Sequence, residues 1–262
     1  MVCRGSHLLP RLFEPAPKGG GHPVSAMSIS FHIRGQAPHL PWFLRRLEAQ
    51  GLAAAREPAA TRLPAGWMGI ELEDCWLDLG RDGDHALAER LARCAALSLP
   101  VVELRGDWSP FAAEHGFMLL IGNPPAPDSA ACRMLDALAP APGCWLPCGP
   151  AHSARFCERV FIALQHQGLG SLRQPDGAPH ALQWEAMLES QWRIADKLAE
   201  LAQGYLAERV GLLPPYPSPL PEAAQHFAAA LARAILLTLP DPAVRGEWLA
   251  RIQTILANQG AN

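Results

Sequence analysis

No long hydrophobic run, no basic stripe and no CxxC pair occur in this chain of 262 residues. Each absence removes a class of function. The most apolar stretch, FAAALARAILLTL at 227–239, is shorter than a bilayer span and carries Arg233, so no membrane-spanning segment is expected. The first 26 residues lack the apolar core of a secretory signal. Lys and Arg total 22 against 25 Asp and Glu, without a cationic stripe interleaved with aromatics, which argues against a nucleic-acid surface. The cysteines are Cys3, Cys75, Cys94, Cys132, Cys144, Cys148 and Cys157. An odd count without an export signal is the pattern of reduced thiols in the cytoplasm. In CWLPC, three residues separate Cys144 from Cys148, which suits neither a redox pair nor a zinc pair, and no metal is expected. GxSxG, Walker and HExxH motifs are also missing.

What is present suffices for a folded core: 49% of residues are hydrophobic and 18% charged, over a length that fits one large domain or two small ones. PAPKGGGHP lies in a start, residues 1–26, that reads as a disordered extension, or else Met27 is the initiator. From Met27 the pattern alternates. MSISFHIRG at 27–35 reads as a strand, LPWFLRRLEAQG at 40–51 as a helix stopped by Gly51, and LAAAR at 52–56 as a weak second strand. GIELEDCWLDLG at 69–80 holds two short apolar stretches around Glu73 and Asp74. DHALAERLARCAALSL at 84–99 is helical, PVVELRG at 100–106 and HGFMLLIGN at 115–123 are strands, DSAACRMLDALA at 128–139 is a helix capped by Asp128, and GCWLPC at 143–148 is a last strand. Beyond 148 every periodic segment is helical, including an amphipathic run over 182–210. The expected fold is therefore α/β, a wound sheet over 27–148 followed by an all-helical domain over 149–262.

This order resembles the 6-phosphogluconate and 3-hydroxyisobutyrate dehydrogenase superfamily. Three stretches carry the likeness: ISFHIRGQAPHLPWFLRRLEAQG at 29–51, ALAERLARCAALSLPVVELRGDWSPFAAEHGFMLLIGN at 86–123, and CWLPCGPAHSARFCERVFIAL at 144–164. The resemblance implies a reduced Rossmann-like sheet, an NAD(P) cofactor, and a helical domain that also forms a homodimer. The helix at 182–210, with Trp184 and Trp192, suits such an interface.

The departures from that family are specific. Its GxGxxG phosphate loop reads here Gly35-Gln36-Ala37-Pro38-His39-Leu40. Only the first glycine remains. Ala37 adds a methyl group where a diphosphate would meet the backbone, and Pro38 removes a donor. Arg56, 21 residues after Gly35, stands where an NADP-preferring enzyme grips the 2′-phosphate, or is an ordinary surface arginine. At the substrate-contacting turn, Arg105, Gly106 and Asp107 replace small residues; Arg105 suits a carboxylate or phosphate, or pairs with Asp107. After Gly149-Pro150 come His152 at the helix mouth and Ser153 as an N-cap. Glu158 falls where the family has its catalytic lysine, and Ile162 where it has an asparagine. A buried Glu158 could transfer protons, whereas an ion pair with Arg155 on the helix surface would lower its pKa.

Two functional readings stand. One is a divergent NADP-dependent oxidoreductase using Arg56 and the Gly35–Ala37 loop for cofactor, Arg105, Gly106, Asp107 and Ser153 for substrate, and Glu158 or His152 for proton transfer. The other is a catalytically inactive homologue that binds a small ligand or a protein partner.

Overall fold

The computed structural model describes residues 29–54, 63–106, 108–170, 184–211 and 226–239, with a few positions after 243. Arg56 and Asp107 lie outside the described residues.

Strand β1 (Phe31–Arg34) leads through a tight turn into helix α1 (Leu40–Ala49), whose Leu40, Phe43 and Leu47 recur at helical spacing and are buried. As expected, α1 stops at Gly51, whose φ of +77° suits a residue without a Cβ. The expected strand at 52–56 does not form over residues 52–54. The Leu52 amide is already spent closing α1, donating to the Leu47 carbonyl at 2.8 Å. The two apolar stretches around Glu73 and Asp74 form a hairpin, β2 (Gly69–Leu72) and β3 (Trp76–Asp78). Helix α2 (Asp84–Ala96), strand β4 (Val101–Gly106), a short α3 (Ala112–His115), strand β5 (Leu119–Gly122), helix α4 (Ala130–Leu138) and strand β6 (Trp145–Gly149) follow. The cap of α4 is Ser129 rather than Asp128: its hydroxyl accepts from the Cys132 amide at 3.1 Å. Among the described residues three further long helices follow: α5 (Ser153–Gly170), α6 (Trp184–Ala207) and α7 (Phe227–Thr238).

The α/β character expected from the sequence is present, with one mixed sheet of six strands. Its order is β1-β2-β3-β4-β5-β6. β1/β2, β2/β3 and β4/β5 pair antiparallel; β3/β4 and β5/β6 pair parallel, bridged by α2 and α4. The order never reverses, so the sheet lacks the switch point at which doubly wound sheets hold dinucleotides. Among the described residues no strand follows Gly149, and no helix is long and apolar enough to cross a membrane.

Alternation along the strands divides the core. Leu77, Val102, Leu104, Leu119 and Ile121 pack with Phe43 and Leu47 of α1 and Met134, Leu135 and Leu138 of α4. On the opposite face Trp76 and Val101 pack with Cys94 of α2. Further along, Leu120 and Cys148 join Phe156, Cys157 and Val160 of α5 with Tyr205 of α6 and Ala228 and Ala232 of α7. The C-terminal helices thus share a core with β5 and β6.

Buried Arg46 of α1 ties the first layer together, donating to the carbonyls of Ala137 at 3.0 Å, Ala139 at 2.7 Å and Glu114 at 3.0 Å. It supplies the acceptors at the ends of α3 and α4 with a cation. Arg46→Met removes all three bonds while keeping the apolar stem. It is expected to lower stability by about 3 kcal/mol in urea denaturation, since bonds to charged groups are worth roughly 1.5–3 kcal/mol each and are not additive.

Candidate functional site

Face alternation places three charged side chains in the interior. On β3 and β4, Asp78, Glu103 and Arg105 share a face with Trp76 and Val101, and each is at most 2% exposed. Charge of this density survives burial only when paired. Arg90 of α2 meets Asp78 at 2.6 Å and Asp82 at 2.6 Å. Buried Arg155 of α5 lies 3.5 Å from both Asp84 and Glu103, and donates to the carbonyls of Asp82 and Gly80. Arg159 pairs with Asp84 at 2.9 Å. The Arg155 backbone amide also donates to Glu103 Oε1 at 3.2 Å, so a strand carboxylate caps the N-terminus of α5. Opposite Glu103 in the register stands Gly122, where a Cβ would collide with that carboxylate.

The environment sorts these acids. Burial pushes the Glu103 carboxyl above its ordinary range, against the pull of Arg105 and Arg155. A hydrogen bond from Arg90 holds Asp82 below the usual range. For Asp84, burial acts upward, but Arg159, Arg155 and His152 outweigh it and hold it low.

A cleft of about 1190 Å³ opens beside this cluster, between α5 and the sheet end formed by β4, β5 and β6. Arg81, Asp82, Arg105, Arg155, Glu158 and Arg159 line it together with the apolar Trp108, Met118, Leu120, Trp145, Leu146, Phe161 and Ile162. Arg105 donates one hydrogen bond, Nη1 to the Leu104 carbonyl at 3.2 Å. Its acids stand further off: Glu158 at 3.7 Å, Glu103 at 3.8 Å and Asp78 at 3.9 Å. Its Nη2 is buried without a hydrogen-bond partner.

The structure gathers part of the expected site. Arg105, Gly106 and Glu158 line the cleft together. Glu158 faces Arg105 and is one-fifth exposed; its expected surface partner, Arg155, instead turns inward to Glu103 and Asp84. His152, with a left-handed φ of +70°, sets Nδ1 3.5 Å from Asp84, and burial lowers its pKa. Ser153 lies apart from the cleft lining: it is fully buried, with its hydroxyl 2.8 Å from that of Tyr205, because the first turn of α5 packs on α6. Sequence reasoning missed Asp78, Asp82, Asp84, Arg90, Glu103 and the inward course of Arg155. The one signal was the spacing of Glu103 and Arg105, two apart in VVELRG, which commits both to one face. Among the described residues, no group of three or more His, Cys, Asp or Glu is placed to hold a metal ion.

The loop after β1 was the expected cofactor cradle. Gly35 keeps φ at +87°, but Met68 packs against it, and a Cβ there would lie 3.0 Å from the Met68 Cα. Ala37, His39 and Leu40 are buried. The first-turn donors of α1 are spent: Leu40 N–H on the Ala37 carbonyl at 3.1 Å, and the Trp42 and Phe43 amides on the His39 carbonyl at 3.0 and 3.3 Å. Pro38 and Pro41 have none. A diphosphate needs free amides at this place, and these residues do not fit one.

Compared with known families and curated proteins, the chain matches no family model and no curated sequence.

Two expectations follow from the charges. Arg155→Met takes from buried Glu103 its nearest guanidinium, leaving Arg105 at 3.8 Å, and is expected to cost about 3–5 kcal/mol of folding stability. Adding Glu103→Leu to that variant should recover part of the loss in a double-mutant cycle read by urea denaturation. His39, stacked on Trp108 with ring centroids 5.5 Å apart, has its pKa lowered by burial and then by Arg81 from 6.5 to about 4. The unfolded chain takes up that proton first. The contribution is therefore whole above about pH 6.5 and is lost as pH falls towards 4. His39→Phe should flatten the decline of unfolding free energy across that window.

Proposed function

We propose that this protein is a ligand-binding module on a dehydrogenase-like α/β frame, taking a small molecule in the cleft between α5 and the β4–β6 end of the sheet. The resemblance to the 6-phosphogluconate and 3-hydroxyisobutyrate dehydrogenases points to an α/β frame with a helical C-terminal part, from whose wound sheet this one departs in its unreversed order and three antiparallel pairs. The observation that carries the reading is the contrast between two places. The loop after β1 has no free first-turn amide for a dinucleotide. The cleft offers about 1190 Å³, an apolar lining and an under-bonded buried arginine. Ligand sites are concave, largely apolar and marked by a few polar groups, which matches the cleft.

The oxidoreductase reading keeps one favourable observation: Glu158 lies in the cleft 3.7 Å from Arg105, where a carboxylate can move a proton.

The test uses two titrations. N-phenyl-1-naphthylamine, an uncharged apolar dye, is expected to brighten saturably with the wild-type protein. Ile162→Glu, at a position 44% exposed in the apolar lining, should weaken it at least tenfold. NADPH and NADH should leave the tryptophan fluorescence unchanged up to millimolar concentration. Saturable micromolar quenching by NADPH, or dye binding unaffected by Ile162→Glu, would overturn the reading.

A further inference from the structure

The cleft is asymmetric in a way that specifies its ligand, and this inference rests on the cleft being the binding site. Of the charged side chains lining it, four are arginines and two are carboxylates. Asp78, Asp84 and Glu103 lie outside the lining, paired with Arg90, Arg155 and Arg159, so the cleft meets the guanidinium side of the cluster. Arg81 is exposed, lines the cleft and has no ion-pair or hydrogen-bond partner among the described residues. Arg105 lies beneath, with every acid beyond 3.6 Å and Nη2 unbonded. Three carboxylates within 3.9 Å balance that guanidinium, so the uncompensated positive charge at the cleft is that of exposed Arg81. The excess is small, however, because Asp82 and Glu158 stand at the same end. A phosphate dianion would meet two carboxylates there, whereas one negative charge finds Arg81 and Arg159 within the lining.

Met118 is 70% exposed, Phe161 36% and Ile162 44%, and with Trp108 and Trp145 they give the cleft an apolar lining open to solvent. Apolar surface of this kind, beside an arginine cluster, is complementary to a molecule with one charged end and a hydrocarbon body. We propose that the cleft binds an amphipathic monocarboxylate, its carboxylate towards Arg81 and Arg159 above Arg105 and its hydrocarbon chain or ring along Trp108, Trp145 and Ile162.

Displacement of N-phenyl-1-naphthylamine tests the class separately from the site. Dodecanoate is expected to displace the dye at least tenfold more effectively than dodecanol, dodecyltrimethylammonium or dodecyl phosphate, and acetate should not displace it. Arg81→Glu should abolish the preference for dodecanoate over dodecanol, with the folding of the variant checked independently by circular dichroism and urea denaturation. Raised salt should narrow the same preference. If the dye binds the cleft but dodecanol or dodecyl phosphate competes as well as dodecanoate, the ligand class is wrong and the binding module stands. If the dye fails to bind, or binds regardless of Ile162→Glu, the site itself is wrong and the class falls with it.

Discussion

The whole arrangement depends on a constraint at the middle of the sheet: Asp78, Glu103 and Arg105 point into protein, not water. Burying an ion is costly, and only pairing makes it tolerable. That requirement dictates where the neighbours go. Helix α2 must present Arg90 to Asp78, the loop 80–84 must carry Asp82 and Asp84 to meet Arg90 and Arg155, and α5 must lie with Arg155 over Glu103. Three segments distant in sequence are thereby held in one geometry. The cleft exists because α5, fixed at its N-terminal turn by these charges, runs on past the cluster with Phe161 and Ile162 beside an open space.

Much of this order was legible in the sequence. The placement of α1, α2 and β4 follows apolar period and stop signals, which are local properties of the chain, whereas the strand expected over 115–123 forms only over Leu119–Gly122, because His115 ends α3. The direction and pairing of strands were not legible, since the same alternating segment serves a parallel or an antiparallel neighbour. LAAAR failed as a strand over 52–54 because the helix before it claimed the Leu52 amide. Asp128 lost the cap of α4 to Ser129, and at 63° its φ is left-handed, one residue ahead of the capping position. Arg155 and Glu158, three apart on a helix, looked like a surface pair; what separated them was the strand beneath, whose Glu103 outcompetes a neighbour on the same helix. Propensity describes a helix in isolation, and tertiary charge overrides it.

The loop after β1 and the cleft show how one frame can close one site and keep another. Met68, His39 and Trp108 fill the space around the loop with side chains, and α1 begins with its amides already satisfied. These choices stabilise the first layer, where His39, Phe43, Trp108 and Phe117 form a continuous aromatic group. Trp108 belongs both to this group and to the cleft lining, where Arg105 is left imperfectly matched and Met118 open to solvent.

The strand order has a kinetic consequence. Every strand pairs with the one that precedes or follows it in the chain, so each closure during assembly joins neighbours in sequence order. The sheet can therefore zip progressively from β1 as the polypeptide leaves the ribosome. Arg155 is synthesised after all six strands, and until it arrives Glu103 has no guanidinium from α5. The contact between Glu103 and α5 is therefore the last of these to become available in order of synthesis.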